Sequence, residues 1–187
     1  MGEAEKNLIF KTKKYTFRQF TMDNFADFCA LNQNAEVMRY VNHNNGKPKT
    51  YRECVEKYSD IAYSQDKFGY SYWAVCDGIT RDLIGQCGAL RTWATDSNTF
   101  CYAFKKKYWG KGVGTDVCGT VMSYLFENFP TIDTLTTTAF SENVASVKIL
   151  KKIGFEYLYT GKEYGRDLEF FEIARSSYVK KGIRAIS

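Results

Sequence analysis

A glycine-rich segment at residues 108–115 carries the clearest chemical signal in this sequence. It reads Tyr-Trp-Gly-Lys-Gly-Val-Gly-Thr and follows an apolar stretch that ends at Phe104. Glycine admits positive φ and lets a ligand approach the backbone closely, so alternating glycines can turn several amide N–H groups toward one point. Lys105–Lys107 and Lys111 add positive charge nearby. The segment therefore predicts an anion-binding loop, with an ordinary glycine-rich turn as the alternative interpretation.

The residues after this segment predict a helix. From Thr115 onward, apolar residues recur at intervals of three and four and form one stripe: Val117, Val121, Met122, Leu125 and Phe126. The glycine loop then stands at a helix N-terminus, where unpaired amides and the helix dipole favour phosphate or another anion. The P-loop pattern does not match, because Gly114 is followed by Thr-Asp instead of Lys-Ser/Thr. The dinucleotide pattern does not match either, because the glycines are spaced G-x-G-x-G.

A second segment, residues 141–155, predicts another helix with polar residues at its start. Ser141 or Asn143 could cap this helix, and Gly154 could end it. Its apolar face consists of Val144, Val147, Leu150 and Ile153. Taken alone, these residues support only a structural interpretation.

The two segments together closely resemble the signature of the GNAT superfamily of acyl-CoA-dependent N-acyltransferases. The matching residues are Tyr-Trp-Gly-Lys-Gly-Val-Gly-Thr and, further along the chain, Asn-x-x-Ser-x-x-x-Leu-x-Lys-x-Gly-Phe. The most similar branch is that of the ribosomal-protein N-acetyltransferases, the RimJ/RimL-like proteins. Residues 34–41, Asn-Ala-Glu-Val-Met-Arg-Tyr-Val, are similar to the amino-terminal region of that branch. The resemblance extends from Tyr15 to Arg175.

The resemblance implies an acetyl-CoA site in a splay between two parallel strands, one ending near Phe104 and one spanning Thr134–Phe140. Backbone groups of Tyr102 and Phe104 would bind the pantetheine arm like an added strand. The pyrophosphate would bind the amides of Gly110, Lys111, Gly112, Val113, Gly114 and Thr115. Asn143 would reach the pantetheine or the acetyl group, unless it only caps its helix. Ser146 would protonate the leaving thiolate, unless it only permits close packing.

The implied reaction is direct attack of a neutral amine on the thioester in a ternary complex. It needs alignment of the reactants, a donor for the carbonyl oxygen and a group that takes the ammonium proton. Many members of the branch carry an acid where this chain has Thr99, and many GNAT enzymes carry a tyrosine where it has Leu150. Glu163, in the presumed last hairpin, is therefore the predicted general base, and Glu169 is the second choice. A surface ion pair is the alternative role for both.

The acceptor amine is the least constrained part of the prediction. Aromatic residues cluster between Tyr51 and Trp73, in the region that resembles the family's substrate wall, although core packing is the commoner role of aromatic clusters. The branch resemblance favours the α-amine of a protein or peptide amino terminus. A small amine, such as a polyamine or an aminated antibiotic, is the alternative, and a closed acidic pocket would indicate it. A catalytically weak acyl-CoA-binding or regulatory module is the third hypothesis, motivated by Thr99 and Leu150.

Composition favours a cytoplasmic enzyme without membrane or nucleic-acid partners. The net charge is +5, from 26 basic and 21 acidic residues, and no nucleic-acid-binding motif is present. No apolar run is long enough to cross a bilayer. The six cysteines include no C-x-x-C pair and the only histidine is His43, so we expect reduced core cysteines and no metal site. A nucleophilic cysteine paired with His43 is the alternative, and an aromatic-rich domain of this kind is compatible with a homodimer.

These residues require an α/β fold that brings the glycine loop and the second helix to one site. The pattern predicts a single domain over residues 1–187, with a core at 15–175 and charged termini before Tyr15 and after Ser177. Strands are expected at Tyr15–Thr21, Tyr72–Cys76, Asp82–Leu90, Thr99–Phe104, Thr134–Phe140, Glu156–Tyr159 and Leu168–Ala174, and helices from Asp23, Thr50, Thr115 and Asn143. The expected fold is thus a mixed, mostly antiparallel sheet of about seven strands flanked by about four helices, with a V-shaped splay between two parallel central strands.

Overall fold

Eight strands form one mixed sheet in the computed structural model, which describes residues 7–41, 45–92 and 95–181. In chain order the strands are β1 (Leu8–Lys11), β2 (Tyr15–Arg18), β3 (Tyr72–Asp77), β4 (Leu83–Thr92), β5 (Thr95–Phe104), β6 (Thr134–Phe140), β7 (Glu156–Glu163) and β8 (Arg166–Ala174). Their order across the sheet is β1-β2-β3-β4-β5-β6-β8-β7. All neighbours are antiparallel except β5 and β6, which are parallel. The predicted mixed, mostly antiparallel sheet is confirmed.

Within the described residues, six helices cover the two faces of this sheet. They are α1 (Phe25–Asn32), α2 (Ala35–Met38), α3 (Tyr51–Phe68), α4 (Val113–Asn128), α5 (Val144–Lys152) and α6 (Arg175–Lys181). Helix α3 begins at a capping box, in which the Thr50 amide donates to the Glu53 carboxylate at 2.7 Å and the Glu53 amide donates to the Thr50 hydroxyl at 3.2 Å. It ends at Gly69, whose φ of 81° is left-handed. The local sequence thus defines both ends of this long helix.

The sheet separates two apolar cores. Helices α4 and α5 pack on one face, where Val117, Val121 and Leu150 are fully buried against Phe100 and its neighbours. Helices α1 to α3 pack on the opposite face, against strand residues that include Ala74, Leu83, Leu90 and Ala103. We call these the α4 face and the α3 face. Because side chains alternate between the faces along a strand, every strand residue can be assigned to one of them.

The parallel strands β5 and β6 separate soon after they meet. They pair only at Asn98 with Leu135 and at Thr99 with Thr136, and both strands continue beyond that point, to Phe104 and Phe140. A V-shaped gap therefore opens between the carboxyl-terminal halves of the two strands. The predicted splay between two parallel central strands is confirmed.

Several elements differ from the sequence-based expectation. Strand β1 lies in the segment that was expected to be a charged terminus, where Phe10 stacks between Phe17 at 4.1 Å and Tyr124 at 3.9 Å, measured between ring centroids. Helix α6 extends beyond Ser177, because Tyr178 is buried against Phe126. The β4–β5 hairpin is longer than predicted, and the short helix α2 was not predicted. Strand β1 and helix α6 are short and are stabilised by ring contacts with residues distant in the sequence.

Candidate functional site

The backbone of β5 presents unpaired groups to the V-shaped gap. Phe104 lies opposite Gly85 of β4, and the amide of the next residue, Lys105, donates to the Ile84 carbonyl at 2.9 Å. In an antiparallel ladder this pattern turns the N–H and C=O of Phe104 away from β4, and those of Tyr102 as well. Both residues therefore direct backbone groups toward the gap that β6 has left. This orientation suits an extended ligand that pairs with the strand edge.

Trp109 forms a hydrogen bond with one of these backbone groups. Its indole N–H donates to the Phe104 carbonyl at 2.7 Å, while the ring remains 41% exposed. The Phe104 amide and both backbone groups of Tyr102 are the ones left facing the gap. Sequence reasoning missed this contact, because it spans a turn whose geometry is not evident from residue types.

The glycine loop ends the gap at the N-terminus of α4. Gly110 and Gly112 have φ of 69° and 78°, and a Cβ added to either would meet no heavy atom within 4 Å. Gly114 differs, because a Cβ there would lie 2.8 Å from the Cδ1 of Ile149 on α5. The amides of Val113 and its two successors occupy the first helical turn, where they have no acceptor within the helix. The loop is thus open to solvent, left-handed at two positions and lined by free-facing amides, as an anion site requires.

Charged side chains around this loop are arranged unevenly. Lys106 forms an ion pair with Glu36 of α2, Lys107 lies 3.8 Å from Asp82, and Lys111 is exposed. Two of the lysines that were expected to supply a positive field are therefore paired with carboxylates. Lys111 is the exposed cation within the loop itself.

Asp116, in the first turn of α4, is directed away from the loop. Its carboxylate accepts from the Lys14 ammonium at 3.0 Å and from the Tyr15 hydroxyl at 3.2 Å. Burial, with the nearby Asp116 charge, raises the pKa of Tyr15 to about 12. The negative charge of Asp116 is thus balanced locally, at the junction of α4 with β2.

Three predicted site residues meet on the α4 face beside the gap. The Tyr102 hydroxyl lies 2.6 Å from Oγ of Ser146, and the Oδ1 atom of Asn143 accepts the Ser146 amide at 3.2 Å. Asn143 therefore caps helix α5, as the structural interpretation of this residue holds. Burial holds the pKa of the Tyr102 phenol well above its ordinary value. The phenol stays protonated at neutral pH and is suited to donate to Ser146.

Sequence reasoning missed the contact of the Tyr102 phenol with Ser146. Only the backbone of this residue was assigned a role. The alternation of Phe100, Tyr102 and Phe104 was the available signal, since it places all three rings on one face of β5, toward α4 and α5. That Tyr102 meets Ser146, distant in the sequence, depends on the packing of α5.

The two nominated carboxylates do not lie at the point where β5 and β6 separate. Glu163 is at the hairpin end of β7, where it lies opposite Arg166 of β8. Strand β6 does not extend that far, because its last residue, Phe140, lies opposite Leu168. Arg166 stacks on Phe140 at 3.5 Å and pairs with Glu142. Glu169 lies opposite Ala139, on the α4 face. Only Glu163 therefore shares the α3 face of the gap, near its open end.

Glu172 is a carboxylate on the α3 face that the sequence analysis did not consider. It lies opposite Thr136 on β6, and Thr136 in turn lies beside Thr99 on β5. At the usual strand spacing, its backbone is about 10 Å from that of Thr99. The row Thr99–Thr136–Glu172 therefore brings a carboxylate near the point where the strands separate. Leu150, by contrast, is fully buried in the core and offers no proton-transfer group.

Lys57 of α3 introduces a cation on the α3 face. Its Nζ atom lies 4.8 Å from the centroid of the Tyr72 ring, and burial lowers the pKa of the ammonium group. Most of the aromatic rings predicted to line an acceptor pocket instead pack in the cores, including those of Tyr70, Tyr72 and Trp73. Core packing, the alternative given for this cluster, describes these three rings.

The described residues give little support to the alternative of a cysteine nucleophile. All six cysteines are free thiols, five of them buried and Cys101 half-buried, and burial raises the pKa values of the Cys54, Cys76, Cys101 and Cys118 thiols. His43 lies outside the described residues. Within the described ranges, no group of three His, Cys, Asp or Glu side chains is placed to hold a metal ion. Helices long and apolar enough to span a bilayer are absent from this same part of the chain.

The arrangement can bind an extended, amide-containing chain that ends in phosphate. An exposed strand edge such as that of β5 can pair with amides, and a first helical turn such as that of α4 can hold a phosphate. Acetyl-CoA has this form, since its pantetheine arm carries two amides and leads to a pyrophosphate. The two unobstructed left-handed glycines show that the loop leaves room for such a group.

Comparison with known proteins agrees with this reading of the geometry. Residues 14–156 match the model of the acetyltransferase (GNAT) domain family. A curated relative, the YkkB protein of Bacillus subtilis (strain 168), is 26% identical over 113 residues, which are 59% of this chain. The chain spans 64% of the length of that relative.

Two solved structures show the same fold. Spermidine N-acetyltransferase from Vibrio cholerae, solved with CoA and spermine, superposes with a TM-score of 0.73 at 18% identity, covering 90% of this chain and 99% of that one. Ribosomal-protein-S5-alanine acetyltransferase from Vibrio fischeri superposes with a TM-score of 0.71 at 14% identity, covering 90% and 97%. These structures confirm the fold, and the family match confirms the predicted acetyltransferase class with its acetyl-CoA cosubstrate. The chain belongs to the GNAT acetyltransferase family, and its domain is that of an acetyl-CoA-dependent N-acetyltransferase.

Proposed function

We propose that this protein transfers the acetyl group of acetyl-CoA to the α-amine of a protein or peptide amino terminus, by direct attack in a ternary complex. The observation that carries the proposal is the V-shaped gap between β5 and β6, with the glycine loop at its end and the Tyr102–Ser146 pair on its wall. It combines in one place a binding edge for an extended arm, an anion site and a proton donor.

The residues proposed to hold acetyl-CoA follow the gap from one end to the other. The pantetheine arm pairs with the backbone of Tyr102 and Phe104. At Phe104 the amide is the group that pairs, because the carbonyl already accepts a hydrogen bond from the Trp109 indole. The pyrophosphate binds the loop from Gly110 to Thr115, with Lys111 as the exposed counter-charge. Asn143 acts through its cap, because it sets the first turn of α5 and hence the position of Ser146.

Bound acetyl-CoA supplies an activated thioester. We assign to Ser146 the proton that the departing thiolate takes. The carboxylate that accepts the ammonium proton releases it to solvent, and the Ser146 oxygen regains a proton from solvent, so that no net proton is lost from the site. The Tyr102 phenol donates to Oγ of Ser146, so that the hydroxyl hydrogen of Ser146 remains free to point into the gap. Because its pKa is raised, Tyr102 serves as a hydrogen-bond donor that positions Ser146 and is a poor source of a proton itself.

The group that takes the proton from the ammonium is proposed to be a carboxylate on the α3 face. Glu163 remains the first nomination, at the open end of the gap, and Glu172 is the second, in the row with Thr99 and Thr136. Either would act through an ordered water, given its distance from the strand separation. Replacement of each by glutamine, with pH–rate profiles, assigns the base: the variant that loses the acidic limb identifies it.

The choice of a protein or peptide acceptor rests on the resemblance to the RimJ/RimL-like branch. The structural relative that acts on ribosomal protein S5 supports it, and the spermidine N-acetyltransferase supports a small-amine acceptor with similar structural agreement. The half-buried cation Lys57 disfavours a polycationic acceptor by charge repulsion. This favours the peptide over the polyamine.

The test is acetyl transfer to defined acceptors. Purified protein and acetyl-CoA are incubated with a panel of short peptides, spermidine and an aminoglycoside, and products are identified by mass spectrometry. We expect acetyl groups on peptide α-amines. Transfer only to spermidine or the aminoglycoside would overturn the peptide acceptor. Binding of acetyl-CoA without transfer to any amine would support the regulatory-module hypothesis instead.

Two further predictions concern location and assembly. The cytoplasm is the proposed location, in keeping with six free thiols. The homodimer stays a prediction, which light scattering at several protein concentrations can test. The outermost strand β7 leaves Tyr157, Leu158 and Tyr159 about half exposed, which supports an interface at that edge.

A further inference from the structure

Lys57 is an unusual cation because its ammonium group is withdrawn from solvent and pairs with no carboxylate among the described residues. In residues 7–41, 45–92 and 95–181, no carboxylate forms an ion pair with its ammonium group. Its nearest described partner is the Tyr72 ring, at 4.8 Å from Nζ. The charged and titratable groups around it are Cys101 on β5, Asp60 on its own helix, and Lys49.

An enclosed ammonium group without a counter-ion is costly to maintain. Removing a charge from water is unfavourable unless the charge is paired, and a single cation–π contact compensates only in part. The lowered pKa of Lys57 is the sign of this cost, with burial as its main cause. Such a residue is best explained by an anion that arrives with a ligand.

Lys57 lies where an acceptor would approach the thioester. Tyr72, Gly88 and Cys101 form one row across β3, β4 and β5, and Cys101 directly precedes Tyr102. Cys101 points to the α3 face, whereas Tyr102 points to the α4 face and contacts Ser146. An ammonium group beside Cys101 is therefore level with the proposed reacting centre, on the side opposite the Tyr102–Ser146 pair. Lys57 keeps partial access to solvent, so a ligand can reach it.

We propose that Lys57 binds a carboxylate of the acceptor, so that the preferred acceptor is a peptide whose first residue is acidic. This inference rests on the proposed function and deepens it. A carboxylate on the first side chain stays close to the α-amine, and pairing it with Lys57 would both neutralise the enclosed cation and hold the amine near the thioester. A free amino acid offers the same chemistry through its α-carboxylate, and the experiment separates the two sources.

The experiment compares acceptors that differ only at the first residue. Three hexapeptide amides beginning with Asp, Ala or Lys are tested at saturating acetyl-CoA, together with free aspartate and free alanine. We expect kcat/KM for the Asp peptide to exceed that for the Ala peptide by at least about 10-fold, as expected for an enclosed charge pair. The Lys peptide should be the poorest acceptor. Higher rates with the free amino acids than with the Asp peptide would identify the α-carboxylate as the source.

Two variants show whether the preference comes from this residue. Lys57→Met should reduce the Asp-to-Ala ratio to near one, while its Kd for acetyl-CoA stays close to wild type. Lys67→Met, on the exposed side of the same helix, should keep the full preference. Lys57→Arg retains the charge and should restore part of the ratio.

The outcomes separate this inference from the function on which it rests. Acetylation of peptides without preference for an acidic first residue, or a preference that Lys57→Met retains, overturns the inference alone. Absence of transfer to every acceptor, with acetyl-CoA binding intact, overturns both. A melting temperature of Lys57→Met at or above that of wild type excludes misfolding as the cause of a lost preference.

Discussion

The two faces of the gap between β5 and β6 are built in different ways. On the α4 face, the candidate residues come mainly from two short segments, the glycine loop and the start of α5. Their polar groups have nearby hydrogen-bond partners: Asn143 accepts the Ser146 amide, and the Ser146 hydroxyl contacts the Tyr102 hydroxyl. On the α3 face, the polar groups come from α3, β5, β6 and β8, and include Lys57, a cation that pairs with no carboxylate in the described part of the chain. A site for a constant cosubstrate can be encoded by local motifs, whereas a site for a variable acceptor is assembled from scattered positions.

The difference also has an energetic side. Satisfied hydrogen bonds on the α4 face stabilise the folded state before any ligand binds. The enclosed ammonium of Lys57 opposes folding until it is neutralised. We therefore expect changes on the α4 face to remove binding or catalysis, and a change at Lys57 to alter specificity while improving stability.

The largest expected effect is on acetyl-CoA binding at the α4 face. Gly112→Glu places a negative charge in the proposed pyrophosphate site and should weaken acetyl-CoA binding by at least about 100-fold, or about 2.7 kcal/mol. The matched control is Gly165→Glu, because Gly165 has a similar φ of 75° and equally open surroundings, in the β7–β8 hairpin. Backbone strain is thus common to both variants. Isothermal titration should show loss of binding in the first only, and equal loss in both would contradict the loop assignment.

The next effect concerns catalysis on the same face. Ser146→Ala should lower kcat by about 100-fold, the usual range for loss of a positioned proton donor, and leave the Kd for acetyl-CoA little changed. Tyr102→Phe should lower kcat less, and the double variant should resemble Ser146→Ala, because Tyr102 acts through Ser146. Ser59→Ala is the control, an exposed serine on α3. Additive losses in the double variant would show that the two side chains act independently.

A smaller effect tests the enclosed cation on the α3 face. The folded state lowers the pKa of Lys57, so the folded protein binds the ammonium proton less tightly than the unfolded chain does. The resulting loss of folding stability is therefore complete at pH values below the folded pKa. Lys57→Met should therefore raise the free energy of unfolding at pH 7 by about 1 kcal/mol. This gain should shrink as the pH rises toward the unfolded pKa of about 10.4. Chemical denaturation at several pH values measures it, and Lys67→Met should change stability by less than about 0.5 kcal/mol.

The smallest effect tests how α4 is attached to β2. Tyr15→Phe removes the hydrogen bond to Asp116 and should cost about 1 kcal/mol at pH 7. In wild type, the folded pKa of about 12 lies above the ordinary value near 10, so this part of the stability is complete below pH 10 and is lost as the pH rises toward 12. The variant should show a shallower loss across that window. Tyr51→Phe, at an exposed tyrosine, serves as the control, and an identical pH dependence of Tyr15→Phe and wild type would refute the assignment.

Much of the fold was predictable because its signals are local. Strand β6 has the predicted bounds, Thr50 begins helix α3, and Asn143 caps α5. Strand β1 was missed because its four residues follow a charged segment and are held by ring contacts with β2 and α4. Helix α2 was missed because a single turn leaves no periodic pattern.

The candidate site divides in the same manner. The glycine loop, Asn143 and Ser146 could be proposed from residue order alone, since loop chemistry and helix caps depend on neighbours in the chain. The contact of Tyr102 with Ser146 could not, nor could the contact of Lys57 with Tyr72. Glu163 and Glu169 were nominated from a presumed hairpin. The strand register was needed to show that these two residues lie on opposite faces of the sheet.

By itself, the sequence determined that this chain carries an anion-binding loop at a helix N-terminus and a capped helix beyond it, and that both belong to an acetyltransferase-like α/β fold. The tertiary structure alone decided which distant side chains come together: Tyr102 with Ser146 on the α4 face, and Lys57 with Tyr72 on the α3 face. The physical reason is that strand pleat and register assign each residue to a face, and the packing of helices α3 and α5 then sets which residues on that face come into contact.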